Sequence, residues 1–180
     1  CALPLALRVT GAGRAARLAA EAGATTFVQI SSIGADPRSP SSYARSKAGG
    51  EAAVRQAFAD ATIVRPSVVF GPEDEFFNRF AALARLTPVL PVFGHGLSDA
   101  GATRFQPVFV GDVADAICRI LDDPAARGEP YEFGGPAVLS FRHIMQLICT
   151  SISRKRALVP VPLSVPRLVA PLLPTPTHPP

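Results

Sequence analysis

The segment from residue 27 to residue 47 constrains the fold of this chain most, because it predicts a strand, a polar loop and a helix in succession. Residues 26–30 form a short apolar, β-branched run of the kind that fills a buried parallel strand. Ser31 and Ser32 follow directly. The carboxyl end of the predicted strand therefore carries hydroxyl groups.

The helix expected after the loop begins near Ser42 and sets Tyr43 and Lys47 four residues apart, one turn above each other on a single face. A cation beside a phenol favours the phenolate, so the phenol can exchange a proton near neutral pH. Ser32 could hydrogen-bond the same substrate oxygen. The pattern predicts an acid/base tyrosine, an electrostatic lysine and an orienting serine. The alternative is a solvated helix face that holds Tyr and Lys by chance.

The order Ser-Ser, loop, Tyr-x-x-x-Lys resembles the active-site segment of the short-chain dehydrogenases/reductases. The resemblance implies a catalytic set of Ser32, Tyr43 and Lys47 and a nicotinamide cofactor, NADP or NAD. It also implies that Lys47 holds the nicotinamide ribose, and that Ser31, Tyr43 and Lys47 contribute to cofactor binding.

Residues 61–70 predict the next buried strand, which a Gly-Pro turn ends. An Arg-Pro-Ser sequence interrupts this apolar run. In the family that the chain resembles, such a sequence before a Phe-Gly-Pro turn lies beside the nicotinamide. The resemblance therefore implies that Pro66, Ser67 and Val68 contact the carboxamide.

The first 25 residues allow two interpretations. Residues 5–9 and the following Thr-Gly-Ala-Gly could be a strand that enters a glycine-rich phosphate loop. Ala16 holds the third glycine position, however, and no acidic residue ends the next strand, so we favour a helix over residues 9–22 that Gly23 caps. The phosphate-binding half of a nucleotide fold would then lie upstream. With the start at Cys1, this makes us expect a fragment that holds the nicotinamide end only.

Residues 71–113 narrow the resemblance. The segments Gly-Pro-Glu-Asp, Phe-Phe-Asn-Arg-Phe and Arg-Phe-Gln-Pro-Val-Phe-Val-Gly-Asp-Val are similar to the nucleotide-binding accessory subunit family of respiratory complex I (NADH:ubiquinone oxidoreductase) and its bacterial relatives. These form part of the atypical, epimerase/dehydratase-like branch. Sugar-nucleotide epimerases carry an arginine where this chain has Phe105. Because Arg104 is displaced by one residue and would point to the opposite face, a nucleotide-sugar substrate is weakly supported.

The remaining elements are predicted from local patterns. Residues 105–110 predict a strand, and Asp112 is predicted to cap the helix that follows, an interpretation we favour over a catalytic role. Ser140 is predicted to cap another helix. Two short strands are expected over residues 129–134 and 156–161.

Composition argues against several classes of function. The chain has 180 residues, of which 48% are apolar and 18% charged, enough for a sizeable core. A net charge of +4 with scattered arginines does not indicate nucleic-acid binding. The three cysteines and three histidines show no spacing typical of a disulfide framework or a metal site. No apolar run in the sequence is long enough to span a bilayer.

The carboxyl-terminal segment is apolar and rich in proline, so at most one short helix fits between residues 164 and 173. One account of this segment is packing on its own domain. The other is docking on a partner or a membrane surface, which the nearby Arg154, Lys155 and Arg156 would support.

Together these patterns predict an α/β fold: the carboxyl-terminal part of a Rossmann-like, doubly wound parallel sheet with a small mixed lobe. We place the nucleotide-binding domain at residues 1–72 and the lobe at 73–180, with 105–123 returning to the core. Two functions stay open. The motifs favour a dinucleotide-binding accessory or assembly subunit of respiratory complex I with little or no turnover, and the intact Ser, Tyr and Lys favour an active NAD(P)-dependent oxidoreductase or epimerase/dehydratase. We expect a cytoplasmic protein, or one peripheral on the bacterial cytoplasmic face or the mitochondrial matrix side of the inner membrane.

Overall fold

The computed structural model describes residues 5–94 and 98–162. Its helices are α1 (Leu5–Glu21), α2 (Ser42–Ala57), α3 (Glu75–Leu86), α4 (Val110–Asp122) and α5 (Phe141–Ser151). Its strands are β1 (Val28–Ile30), β2 (Thr62–Pro66), β3 (Val69–Phe70), β4 (Val89–Gly94), β5 (Arg104–Phe105), β6 (Val108–Phe109), β7 (Pro130–Phe133), β8 (Leu139–Ser140) and β9 (Ala157–Pro162).

The described chain divides into two compact units. We call residues 5–69 with 108–135 the sheet unit. We call residues 70–94, 98–107 and 136–162 the aromatic unit. Strand β7, which the sequence assigned to the small lobe, pairs with β2 inside the sheet unit. The predicted domain bounds stay a prediction.

The sheet unit is built on three parallel strands in the order β1-β2-β7. Its central strand is buried on both sides, because successive side chains of a strand point to opposite faces. Ile63 packs with Ala16 of α1 and Val54 of α2, whereas Val64 packs with Ile120 of α4. Helices therefore cover both faces of a parallel sheet, and the predicted doubly wound α/β fold is confirmed.

Helix α1 contains the glycine-rich stretch of the amino-terminal region. The interpretation as a helix is confirmed, although α1 begins at Leu5 rather than near residue 9. Gly23 follows with a φ of 75°, a left-handed conformation that ends the helix without a steric penalty. Small residues let α1 approach α2 closely, since a Cβ added to Gly13 would lie 3.0 Å from the Cβ of Ala53.

The aromatic unit contains two strand pairs and two helices around a cluster of rings. Strand β4 pairs in parallel with β9, and β5 pairs antiparallel with β8. Ser140 caps α5 as predicted, with its Oγ accepting a hydrogen bond of 3.2 Å from the backbone N–H of His143. The short strands expected near residues 129–134 and 156–161 are also present, as β7 and β9.

Two strand predictions are wrong in their extent, and proline accounts for both. The strand expected over residues 61–70 ends at Pro66, and β3 starts only at Val69. The strand expected over 105–110 is split into β5 and β6 by the Gln-Pro pair at 106–107, and Val110 already begins α4. Proline has no N–H to donate to a strand ladder, so the regular ladder is weakened there, although the N–H of Ser67 still donates to the carbonyl of Phe133.

The capping role predicted for Asp112 is also wrong. Helix α4 begins earlier than the pattern indicated, so Phe109 is the N-cap residue and makes no side-chain cap hydrogen bond. Asp112 lies inside the first turn, where its negative charge still favours the amino end of the helix dipole.

No helix in the described ranges has both the length and the apolar character needed to cross a bilayer. The helix considered between residues 164 and 173 lies outside the described residues.

Candidate functional site

The end of β1 stays attached to β2 beyond its last paired residue. The backbone N–H of Ser31 donates to the carbonyl of Val64 at 2.7 Å, and that of Ile33 donates to the carbonyl of Pro66 at 3.1 Å. These bonds fix the path of the chain on both sides of Ser32. The polar residues predicted at the strand end are therefore held by backbone rather than left in a free loop.

The two neighbouring serines use their hydroxyl groups differently. Ser31 is buried, and its Oγ donates to Oε1 of Glu51 at 2.5 Å. The Oγ of Ser32 is also buried but has no hydrogen-bond partner among the described residues. A buried hydroxyl without a partner costs about 1–3 kcal/mol, which a ligand oxygen at that position would recover. Ser32 is thus suited to the orienting role, whereas the hydroxyl of Ser31 is engaged within the protein.

Helix α2 presents the predicted tyrosine and lysine side by side. Ser41 caps the helix, with its Oγ accepting from the N–H of Ala44 at 3.4 Å. The Lys47 Nζ lies 5.7 Å from the centroid of the Tyr43 ring, within the range of a cation–π contact. Tyr43 is 50% exposed. The two side chains share one helix face, as their spacing predicts, and their catalytic and cofactor-binding roles stay predictions.

The segment proposed to contact the carboxamide is anchored by its backbone. The carbonyl of Pro66 accepts from Ile33, the N–H of Ser67 donates to the carbonyl of Phe133 at 2.8 Å, and the carbonyl of Val68 accepts from Val108 at 3.0 Å. Pro66 is buried, and the next two residues are partly exposed. The segment is rigidly held at the end of β2, but its contact with a cofactor stays a prediction.

A charged network that the sequence analysis missed lies next to these residues. Oε2 of Glu51 accepts from Nη2 of Arg65 at 2.7 Å, and its Oε1 accepts from Nε at 3.0 Å, so the pair is bidentate. The side chains of Glu51 and Arg65 are 10% and 27% exposed. Nη1 of Arg65 also lies 3.5 Å from Oε1 of Glu132, whose side chain is 58% exposed.

Two sequence signals could have marked Glu51 and Arg65 as residues of interest, although neither signal identifies the partner. Glu51 follows Lys47 by four residues and so continues the helix face that carries Tyr43. Arg65 is a charged residue within an otherwise apolar strand, and buried charges are normally paired.

The ionisation of the pair follows from its contacts. Burial alone would raise the pKa of Glu51, but hydrogen bonds from Arg65 and Ser31 and the positive charge of Arg65 outweigh it, so the pKa lies below its usual value of 4.5. The hydrogen bond to Glu51 raises the pKa of Arg65 against the opposing effect of burial, and the negative charges of Glu51 and Glu132 raise it further. Both groups are therefore charged at neutral pH.

Two further expectations concern other residues. In the aromatic unit, Arg104 is exposed, whereas the ring of Phe105 lies 6.0 Å from that of Phe76 and 6.2 Å from that of Phe141. The two side chains therefore have different surroundings, as their neighbouring positions on a strand predict. Within residues 5–94 and 98–162, no three His, Cys, Asp or Glu residues are grouped in a way that could hold a metal ion.

Residues 3–166 match the family model described as the RmlD substrate binding domain. The mitochondrial NADH dehydrogenase (ubiquinone) 1 alpha subcomplex subunit 9 of Arabidopsis thaliana is 36% identical over 149 residues, which cover 82% of this chain and 36% of that protein. The ceramide reductase of Caulobacter vibrioides is 40% identical over 109 residues, which cover 59% of this chain and 32% of that protein. The chain thus spans about a third of the length of these curated relatives.

Among solved structures, the UDP-glucose 4-epimerase of Thermus thermophilus in complex with NAD is similar to the chain with a TM-score of 0.74 and 19% sequence identity. The match covers 90% of this chain and 60% of the epimerase. At this identity the likeness concerns the fold, and it agrees with the parallel sheet described above.

Proposed function

The chain belongs to the RmlD substrate binding domain family, and from this premise we propose that it binds a nicotinamide dinucleotide, NADP or NAD, as part of an accessory or assembly subunit of respiratory complex I. In this proposal the protein has little or no catalytic turnover and works at the inner membrane as a peripheral subunit.

The observation that carries the nucleotide proposal is the buried Ser32 hydroxyl with no partner in the described structure, at a strand end next to a rigidly held segment. In an open parallel sheet, ligands bind outside the carboxyl ends of the strands. A ligand with a polar atom at this position, such as the carboxamide of a nicotinamide, would fit the residues present. A bound nicotinamide would supply the means to accept or donate a hydride.

The proposed roles of the side chains follow from their chemistry. Lys47 carries three donors on a flexible stem and would hold the ribose hydroxyls. Ser32 would donate to a ligand oxygen, and only in an active enzyme would Tyr43 exchange a proton with that same oxygen. Pro66, Ser67 and Val68 would contact the carboxamide of the nicotinamide. Ser31, whose hydroxyl is engaged within the protein, would support this segment.

The subunit role is supported by the identity of the relatives. The plant protein matched over 82% of this chain is named as a subunit of NADH dehydrogenase. A subunit that keeps a nucleotide for stability needs Lys47 but does not need a proton donor. On this proposal, Tyr43 is dispensable.

An active reductase is the second candidate. It is favoured by the intact Ser32, Tyr43 and Lys47 and by the relative named as a ceramide reductase, which is 40% identical over part of this chain. The two candidates differ in one measurable respect, since only the second requires the phenol oxygen of Tyr43.

Two substitutions in the intact native protein separate the candidates. Lys47→Ala should release the nucleotide during purification under either candidate, because it removes both a ribose contact and a charge. Tyr43→Phe removes only a hydroxyl, so a subunit should assemble and retain nucleotide as the native protein does. Bound nucleotide can be quantified by mass spectrometry after denaturation, and assembly by native electrophoresis of the respiratory complex.

The chain offers a matched control for each change. Lys155→Ala removes an exposed lysine of the aromatic unit, and Tyr131→Phe removes the hydroxyl of the other tyrosine. Neither should alter nucleotide retention. A measured hydride transfer that drops about 10²–10⁴-fold with Tyr43→Phe would overturn the subunit proposal in favour of the reductase. Native protein that retains no nucleotide would contradict both.

A further inference from the structure

We propose that Glu51 is a positioning residue, which fixes helix α2, and with it Tyr43 and Lys47, against the carboxyl ends of β1 and β2. This inference rests on the proposed nucleotide site, because it assigns to Glu51 the placement of that site's side chains.

The first step concerns the helix. Tyr43, Lys47 and Glu51 follow each other at intervals of four residues, so they form one stripe along α2. The stripe is buried at its carboxyl-terminal member, Glu51, and half exposed at its amino-terminal member, Tyr43. A contact that holds Glu51 therefore sets the rotation of the helix about its own axis and its height along that axis.

The second step concerns what Glu51 holds. Its Oε1 accepts from the hydroxyl of Ser31, the residue before the unpartnered Ser32 at the end of β1. Both its oxygens accept from Arg65, the residue before Pro66 in β2. A single carboxylate thus joins the helix to the two strand ends that carry the other predicted site residues.

The third step concerns the use of charge for this contact. A bidentate pair between a guanidinium and a carboxylate has a fixed planar geometry, so it specifies orientation as well as attraction. Burial of charge is costly, and well-packed apolar side chains often stabilise a protein as well or better. The placement of α2 accounts for a charged contact at this position. The simpler alternative is an ion pair that contributes only to stability.

The test compares carboxylate-to-amide changes at the two acids that contact Arg65. Glu51→Gln keeps the shape of the buried side chain but loses the ionic, two-oxygen contact. Glu132→Gln makes the same chemical change at the exposed end of the network and serves as the matched control. Equilibrium titrations of the intact native protein with NADH and with NADPH measure the affinity, and hydrogen exchange of the amides of residues 42–50 measures how firmly α2 is held.

We expect Glu51→Gln to weaken binding of the preferred nucleotide about 10-fold, by analogy with the loss of a group that orients a metal ligand, and to speed amide exchange in the first half of α2. Glu132→Gln should bind within twofold of the native protein, on the order of the small effect of an exposed pair. A folded Glu51→Gln protein with native affinity would overturn the positioning role and leave the proposed function standing. Native protein that binds neither nucleotide would overturn the proposed function, and this inference with it.

A second variant keeps the proposal testable if Glu51→Gln does not fold. Arg65→Lys preserves the positive charge beside Glu51 but cannot form the planar two-bond contact. Like Glu51→Gln, it should weaken nucleotide binding, even though Glu51 keeps a positively charged partner. Native affinity in Arg65→Lys would contradict the claim that the geometry of the contact, rather than its charge, places the helix.

Discussion

The contacts beside the candidate site in the sheet unit and those at the centre of the aromatic unit differ in their chemistry. Beside the candidate site, the sheet unit joins α2, β1 and β2 through hydrogen bonds and a partly buried ion pair at Glu51. The aromatic unit gathers rings around Phe141, whose centroid lies 5.5 Å from that of Phe80 and 6.1 Å from that of Phe93. One contact is polar and directional, and the other is apolar and made of many weak attractions.

The two kinds of contact differ in how strongly they depend on geometry. Ring contacts tolerate small shifts, because dispersion depends on the total area in contact rather than on one angle. A bidentate ion pair loses much of its value when its geometry changes. We therefore expect the aromatic unit to depend on its rings for stability, and the sheet unit to depend on its ion pair for the position of the site.

The largest effect on stability should come from Phe141→Ala. The side chain is nearly fully buried among rings, so its removal leaves a cavity and should lower the free energy of unfolding by about 3–5 kcal/mol. Denaturation in urea measures this loss. Leu86→Ala in the same unit is the control, because Leu86 is 84% exposed and should change stability by less than about 0.5 kcal/mol. Equal losses in the two variants would contradict the role given to the ring cluster.

A smaller effect, which depends on pH, should come from Glu51→Gln. At neutral pH we expect a loss of about 2–3 kcal/mol, because the partly solvated Arg65 keeps the cost below that of a fully buried pair. The pKa of Glu51 lies below 4.5 in the folded protein, so the unfolded chain takes up this proton first as the pH falls. The stabilisation is therefore complete above pH 4.5 and is lost as the pH drops through the folded-state pKa.

Urea denaturation of the native protein and of Glu51→Gln between neutral and strongly acidic pH would test this dependence. The difference between their free energies of unfolding should narrow progressively below pH 4.5. A difference that stays constant over the whole range would show that the negative charge of Glu51 contributes nothing to stability.

The smallest effect should come from Glu75→Gln in the aromatic unit. Oε2 of Glu75 lies 2.9 Å from Nη2 of Arg79, but the two side chains are 76% and 74% exposed. An exposed pair one helical turn apart contributes only about 0.3–0.5 kcal/mol, and salt screens it. Thermal unfolding at low and high salt should barely distinguish the variant from the native protein. A loss as large as that of Glu51→Gln would mean that burial does not separate the two pairs.

The parts of the molecule that follow from local patterns were predictable from the sequence. The resemblance to the short-chain dehydrogenases/reductases and to complex I accessory subunits is confirmed by the comparisons. We also anticipated the α/β fold and the glycine-rich helix. The shared face of Tyr43 and Lys47 was predictable because helical spacing decides which residues are neighbours. Residues within one or two turns of each other need no knowledge of the rest of the fold.

The parts that were missed depend on contacts between distant residues. Glu51 and Arg65 meet only when α2 packs on β2, and no local pattern gives the partner of a lone charge. To predict where β2 ends and where β5 and β6 separate, the effect of proline has to be weighed against the apolar composition of each segment. Asp112 resembled a cap by residue type, but the start of α4 is set by where β6 ends.

The pairing of Ile63 with Pro130 has a consequence for the order in which the chain can fold. Strand β2 is the centre of its sheet, yet its second neighbour, β7, is translated only after the whole segment from residue 70 to 107. Until then one edge of a largely buried strand has no native partner on the ribosome, and such edges invite pairing with other chains. Contacts between residues so far apart in sequence also slow folding. We expect the nascent protein to be most prone to aggregation during the synthesis of this stretch, when a chaperone that shields strand edges would help it most.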